Sequence, residues 1–136
     1  DEALVLTVDN PPDHYVSIQI VDPWLHSVEH VHANGSLNNH QAEANKDGSY
    51  TYVIAPRDAG VRNWLHTGGL HDGDFQARWQ YLPASAAANA VREVKVVKLA
   101  DVPALLPDMS KVTPAQRKAQ SRQRAEEYAR RYLPSS

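Results

Sequence analysis

Seven histidines are the side chains of this 136-residue chain best suited to metal or acid–base chemistry, and three of them, His26, His30 and His32, fall within seven positions. On a helix His26 and His30 would share a face at i, i+4; on a strand His30 and His32 would share one at i, i+2. Either spacing suits two imidazole ligands of a zinc or iron ion. His40, His66 or the His71-Asp72 pair would have to complete such a site from another element. The stretch from Ala33 to Asn39 brings no carboxylate after His30-Val-His32, so a cupin-like His-x-His with a nearby acid is not formed.

A second group is Arg57, Asp58 and Arg78. These are candidate catalytic residues, because an aspartate can act as a base while the planar fork of arginine clamps a carboxylate or oxyanion. The alternative is an Arg57–Asp58 salt bridge that fixes a loop to a strand. Trp24 and Trp64, with Asn63 and His66, are candidates for a ligand groove, since indole faces combine apolar area with a polar tip and suit a sugar ring. The serines lack a nucleophile-elbow setting and Gly68-Gly69 lacks the lysine of a phosphate loop. With no cysteine, disulfides, thiolate metal sites and cysteine nucleophiles are excluded. No motif indicates a cofactor.

Several short strands must position these groups. Ala3 to Val8 is an apolar, β-branched run ended by the turn cluster Asp9-Asn-Pro-Pro-Asp13, and Tyr15 to Ile20 alternates with period two. Residues 22–35 read as an irregular segment. Ser36 to Ala44 and Tyr50 to Ala55, separated by an Asp47-Gly48 turn, are expected to pair as a hairpin. Val61 to His66 reads as a structured loop anchored by Trp64. Phe75, Ala77, Trp79 and Tyr81 alternate with polar residues, which predicts a central strand. An alanine-rich connector over 85–90 then leads to a last strand over 91–99. Strands without intervening helical periods favour a sandwich or barrel.

Thr113-Pro-Ala-Gln116 is a helix start, with threonine and glutamine placed for a reciprocal cap and proline where no amide bond is lost. The repeat of Ala125, Tyr128, Ala129 and Tyr132 predicts an amphipathic helix of roughly 30 Å, running to Leu133, with its arginine-rich remainder in solvent. Residues 1–112 hold 8 basic and 14 acidic side chains, whereas 113–136 hold 6 and 2. The basic helix is therefore expected to dock on its own acidic body. Without aromatic platforms between its charges it does not read as a nucleic-acid arm. No apolar run approaches the ~20 residues that cross a bilayer, and the acidic start lacks the pattern of a signal peptide. A start without methionine is expected for a processed product or a domain cut from a longer protein; the compartment stays open.

The segments Val53-Ile-Ala-Pro-Arg-Asp-Ala-Gly60 and Asn63-Trp-Leu-His-Thr-Gly-Gly69, then Gly73 and Arg78-Trp79, resemble the domain of unknown function family 1214. That family usually follows a family 1254 domain as its C-terminal partner. Ser36 to Ala42, the opening strands and the Thr113 helix also fit, so the resemblance covers nearly the whole chain. The Asn-Trp-Leu-x-Thr-x-Gly element is its specific part. Ala59 stands where proline is usual and His66 where aspartate is frequent, so no role of that acid carries over. The resemblance implies a jelly-roll-like antiparallel β-sandwich over 1–112 with helix 113–136 packed on the same domain, and it implies no agreed activity. Three functions follow as expectations. The first is a module that supports homo-oligomerisation or completes a ligand cleft with an N-terminal partner domain; the others are a carbohydrate-active enzyme or binding module, and a histidine-metal enzyme. Membrane and nucleic-acid partners are not expected.

Overall fold

The structure is a computed structural model that describes residues 1–87 and 90–132. Two positions of the expected connector, 88 and 89, and the expected helix end at Leu133 lie outside the described residues. The chain is mainly β: two sheets face one another and a C-terminal helix lies along one side. The first sheet has the order β5-β4-β1-β7, formed by Trp64–His66, Tyr50–Ala55, Glu2–Val8 and Val91–Lys98. The second has the order β3-β2-β6, formed by Ser36–Asn38, Tyr15–Val21 and Asp74–Gln80.

Period-two alternation builds the space between them. Leu6 and Val8 of β1 meet Val16, Ile18 and Ile20 of β2, together with Tyr52, Ile54, Leu65 and Leu37, in one buried cluster. Each fully buried aliphatic side chain of this kind contributes roughly 1.5–3 kcal/mol. The opposite face of the first sheet is also covered. Ala3, Val53, Ala55, Val61 and Trp64 pack under Val102 and Met109, which belong to a strap of a 3-10 turn (Leu99–Asp101), the short helix α2 (Val102–Leu105) and the residues that follow. This two-sided burial explains why Tyr50 to Ala55 reads as a continuous apolar run rather than an alternating one.

Several expectations are corrected. Residues 36–44 and 50–55 do not form a hairpin: β3 and β4 belong to different sheets, and only an isolated Ala44–Tyr50 bridge joins the segments. The polar strand shrinks to three residues because Asn38 opens a turn, its carboxamide accepting from the His40 and Gln41 amides. The loop over 61–66 contains β5, which pairs in parallel with β4 in an otherwise antiparallel sheet. Asn63 makes this return possible: its carbonyl accepts from the Val53 amide at 2.9 Å. The strand over 74–80 is an edge and not a centre, since alternation reports one half-buried face and says nothing about how many neighbours a strand has. One short helix, α1 (Ala84–Ala87), interrupts the all-β order before residue 100.

The two flanks of the sandwich differ. On one, β3 and β5 come together, the His66 amide donating to the Asn34 carbonyl at 2.9 Å. On the other, β6 and β7 are both edge strands. Val94 and Val96 sit opposite Leu6 and Leu4 across the ladder and so face inward, yet they are 48% and 63% exposed. Phe75, Ala77 and Trp79 of β6, opposite Ile20, Ile18 and Val16, are only partly buried. The sandwich is open along that flank.

The C-terminal helix α3 (Pro114–Arg130) starts where Thr113 predicts. The Gln116 amide donates to Thr113 Oγ1 at 3.2 Å, and the Thr113 amide donates to Gln116 Oε1 at 2.8 Å. The strap fixes its origin, because the Val112 amide donates to the Gly60 carbonyl at 2.9 Å.

Candidate functional site

The face that α3 turns to the body is only half the predicted tyrosine–alanine stripe: Ala125 and Tyr128 are partly covered, together with Arg117, Gln120, Ser121 and Arg124, whereas Ala129 and Tyr132 are exposed and no residue of the helix is fully buried. These six positions recur at helical spacing, so they share one side. The expectation that the arginines are solvated therefore fails for Arg117 and Arg124. What holds the helix is polar. Arg117 Nε and Nη2 donate to the two oxygens of Asp58 at 2.9 and 3.2 Å, and Nη2 also donates to the Val61 carbonyl at 2.7 Å. The same guanidinium lies over the Trp64 ring, 5.0 Å from its centroid. Arg124 donates to the Asn34 carboxamide oxygen, and the edge of His30 packs on Tyr128 with centroids 5.0 Å apart. Among the described residues one ion pair and several neutral contacts join the helix to the body.

Because the helix stands on side chains rather than packing flush, a cleft of about 380 Å³ remains beneath it. Trp64 forms its floor, with Glu29, His32, Asp58 and His66 on the body side and Arg117 and Arg124 on the helix side. Local chain chemistry sets each wall. Gly60 adopts φ +68°, a left-handed turn open to glycine, and its amide donates to Asp58 Oδ1 at 2.8 Å. Glu29 organises the irregular segment: its carboxylate accepts from the Val31, His32 and Ala33 amides at 2.7, 2.9 and 3.2 Å. Partial desolvation opposes its ionisation, but the His32, Val31 and Ala33 amides outweigh it and hold the carboxyl below its ordinary range. Burial, and then the nearby charge of Arg117, pushes the Arg124 guanidinium the other way, below its ordinary pKa. The Gly68 amide donates to His66 Nδ1 at 3.2 Å, which leaves the hydrogen of the neutral ring on Nε2.

Among the sequence candidates, Asp58, Trp64, His66 and His32 meet at this cleft. Asp58 receives three donors from Arg117 and Gly60, so it is engaged as a strut and not poised as a base. Trp64 is buried, its Nε1 donating to the Ala55 carbonyl at 3.0 Å. Asn63 is a core residue, not a ligand contact. Its Nδ2 donates to the Glu43 and Thr51 carbonyls at 2.7 and 2.9 Å, and its Oδ1 accepts from the Glu43 amide at 2.8 Å. Arg57 pairs with Asp1 instead of Asp58, and Arg78 is exposed on the outer face of β6, so these two do not form a catalytic group with Asp58. The histidines diverge as well. His26 pairs with Asp22 at 3.1 Å, His32 lies 3.6 Å from Glu29, and His30 packs on Tyr128. Among the described residues no group of three or more His, Cys, Asp or Glu side chains is placed to hold a metal ion. Trp24 is 77% exposed on a turn apart from the cleft, next to Leu25 at φ +65°.

Sequence reasoning overlooked Glu29, Asn34, Arg117 and Arg124. For the last two the sequence offered only their shared helical spacing, which does not say which side of the helix faces the body. Among the described residues no serine or threonine hydroxyl is hydrogen-bonded to a histidine.

Fold and cleft together define a two-sheet β-sandwich with a polar-faced helix strapped over one flank. No family model matches the chain. No curated protein matches it. A crystal structure of an uncharacterised protein from Burkholderia cenocepacia is similar to it, with a TM-score of 0.59 and 36% identity over 74% of this chain and 27% of that one. The chain therefore spans less than a third of the length of the protein it resembles.

Proposed function

We propose that this chain is a non-catalytic β-sandwich module that buries its open flank against a companion domain. The observation that carries this reading is the β6–β7 side, where inward-facing Val94 and Val96 stand exposed beside two unpaired strand edges. Such edges and apolar surfaces are normally covered or charged in a free-standing protein. The much greater length of the similar Burkholderia cenocepacia protein supports the reading. So does the resemblance to family 1214, whose sandwich, jelly-roll-like in that reading, usually accompanies a family 1254 domain.

Purified alone, the chain should bind an apolar dye such as anilinonaphthalene sulfonate and self-associate with concentration in sedimentation equilibrium. The double variant Val94→Lys/Val96→Lys should lose both properties at an unchanged urea midpoint, since substitutions at exposed sites shift stability by about 0.5 kcal/mol or less. A monomeric, dye-silent wild-type chain, or a double variant that unfolds as if its core had been cut, would show the flank already closed.

Trp24 supports a second reading, carbohydrate binding through an exposed indole held on a turn by Asp22, which accepts the Trp24 amide at 2.9 Å. Titration with neutral and acidic glycans should then shift the tryptophan emission of the wild type and not of Trp24→Ala. An unchanged spectrum across the panel removes this reading.

A further inference from the structure

A second cleft, of about 500 Å³, lies between α3 and β3 and adjoins the first, with Asn34, Arg117, Gln120 and Arg124 bordering both. Arg62, Arg124 and Arg131 line it, with His30 and His40, and a single carboxylate, Glu127, joins them. Glu127 is engaged by Gln123, whose Nε2 donates to it at 2.8 Å. Among the described residues none of the three arginines has a carboxylate within salt-bridge distance. Arg62 makes one long contact, 3.5 Å, with the Gln41 carbonyl; Arg131 lies over the Tyr128 ring; Arg124 donates to the neutral Asn34 amide. The contrast lies on the same helix. Arg117, which also borders this cleft, has its charge matched by Asp58.

Arg124 is the informative member, being partly withdrawn from water without a counter-charge. Desolvating a guanidinium costs free energy that a neutral amide returns only in part, whereas an oxyanion would return it through paired, charge-assisted hydrogen bonds. Arg62 approaches from the loop before β5, while Arg124 and Arg131 approach from the helix, so an occupant would be gripped from two elements. The space suits a small molecule: it is within the usual size of ligand pockets and far short of a nucleic-acid groove.

We propose that the cleft between α3 and β3 binds a small multivalent oxyanion, a molecule carrying two or more carboxylate or phosphoryl groups. The site lies on the flank opposite the open one and does not depend on the companion-domain reading.

Citrate and inorganic pyrophosphate are the probes, used separately in isothermal titration calorimetry at low ionic strength with the full chain. The expected result is saturable one-to-one binding of at least one of them. Arg124→Gln and Arg62→Gln should each weaken it about tenfold or more, as loss of a charge-assisted contact does. Arg122→Gln, which removes the same charge from an exposed position of the same helix, should leave the affinity within about twofold. Arg62 is exposed, so its variant reports on binding even if Arg124→Gln unfolds. The ratio of the two affinities tells carboxylate from phosphoryl ligands. Absence of saturation by either probe up to about 10 mM, weaker than the ~4 kcal/mol of a millimolar site, overturns the proposal. So does equal weakening by Arg122→Gln and Arg62→Gln, which would reduce the effect to net charge.

Discussion

Asn63 illustrates how a residue that looks like a ligand contact can instead be a structural strut. Its carboxamide satisfies two carbonyls and one amide in the interior, joining the Glu43 segment to β4, while its own carbonyl starts the parallel β4–β5 pairing. Asn63→Ala would orphan the buried Thr51 carbonyl and the partly buried amide and carbonyl of Glu43, so a loss of about 2 kcal/mol is expected in urea unfolding. A shift below about 0.5 kcal/mol would mean that those groups find other partners. Tyr52 presents the opposite case. Its hydroxyl is buried with no partner among the described residues, and burial, followed by the nearby Tyr50 and Tyr15, raises its pKa well above the ordinary value. Replacing a hydroxyl that makes no hydrogen bond removes a desolvation cost, so Tyr52→Phe should be neutral or stabilising by about 1 kcal/mol. A loss of stability on that substitution would reveal a bound partner for the hydroxyl.

At the scale of elements, α3 depends on its start and on one arginine. The Thr113 cap fixes where the helix begins, and Arg117 binds Asp58, the Val61 carbonyl and the Trp64 face together. The ion pair is mostly shielded, with the Arg117 side chain 11% exposed and Asp58 32%. Removing one partner of such a pair leaves the other partly desolvated, so Arg117→Ala is expected to cost about 2 kcal/mol. Hydrogen exchange should show α3 amides losing protection while β1 and β4 amides keep theirs. Arg117→Lys should recover little, because an ammonium cannot span both carboxylate oxygens and stack on the indole. Uniform loss of protection across the whole chain would instead make α3 part of the cooperative core.

Acid should loosen the whole molecule through its loops. Glu29, Asp22 and Asp47 all lie below their ordinary pKa in the folded state: Glu29 through the His32, Val31 and Ala33 amides that overcome its desolvation, Asp22 through the His26 amide first, and Asp47 through the Ser49 hydroxyl and then Arg92. A depressed folded pKa means that the folded chain binds fewer protons than the unfolded one. The stability these groups contribute is present above the ordinary values of 4.5 for Glu29 and 3.8 for the aspartates, and is lost as the pH falls through the lower folded ones. Urea midpoints should therefore be flat on this account at neutral pH and decline below about pH 4.5. Glu29→Gln, which cannot ionise, should flatten part of that decline. A midpoint that starts to fall well above pH 5 would assign acid sensitivity to other groups.

Local signals in the sequence identified six of the seven strands, the third of them too long, and the start of α3, since strand alternation and a reciprocal cap each depend on neighbours only a few residues away. Trp64 as an apolar anchor also followed from residue type. Three things were decided by contacts distant in sequence. Sheet membership separated 36–38 from 50–55, because an Asp-Gly turn can bend a chain without choosing the sheet it feeds. The openness of the β6–β7 flank was invisible, because alternation marks which side chains face inward and not whether anything covers them. The cleft beneath α3 formed because Arg117 and Arg124 found Asp58 and Asn34, 59 and 90 residues earlier in the chain. Whether an arginine is solvated or turned inward is set by those partners, and only the tertiary structure supplies them.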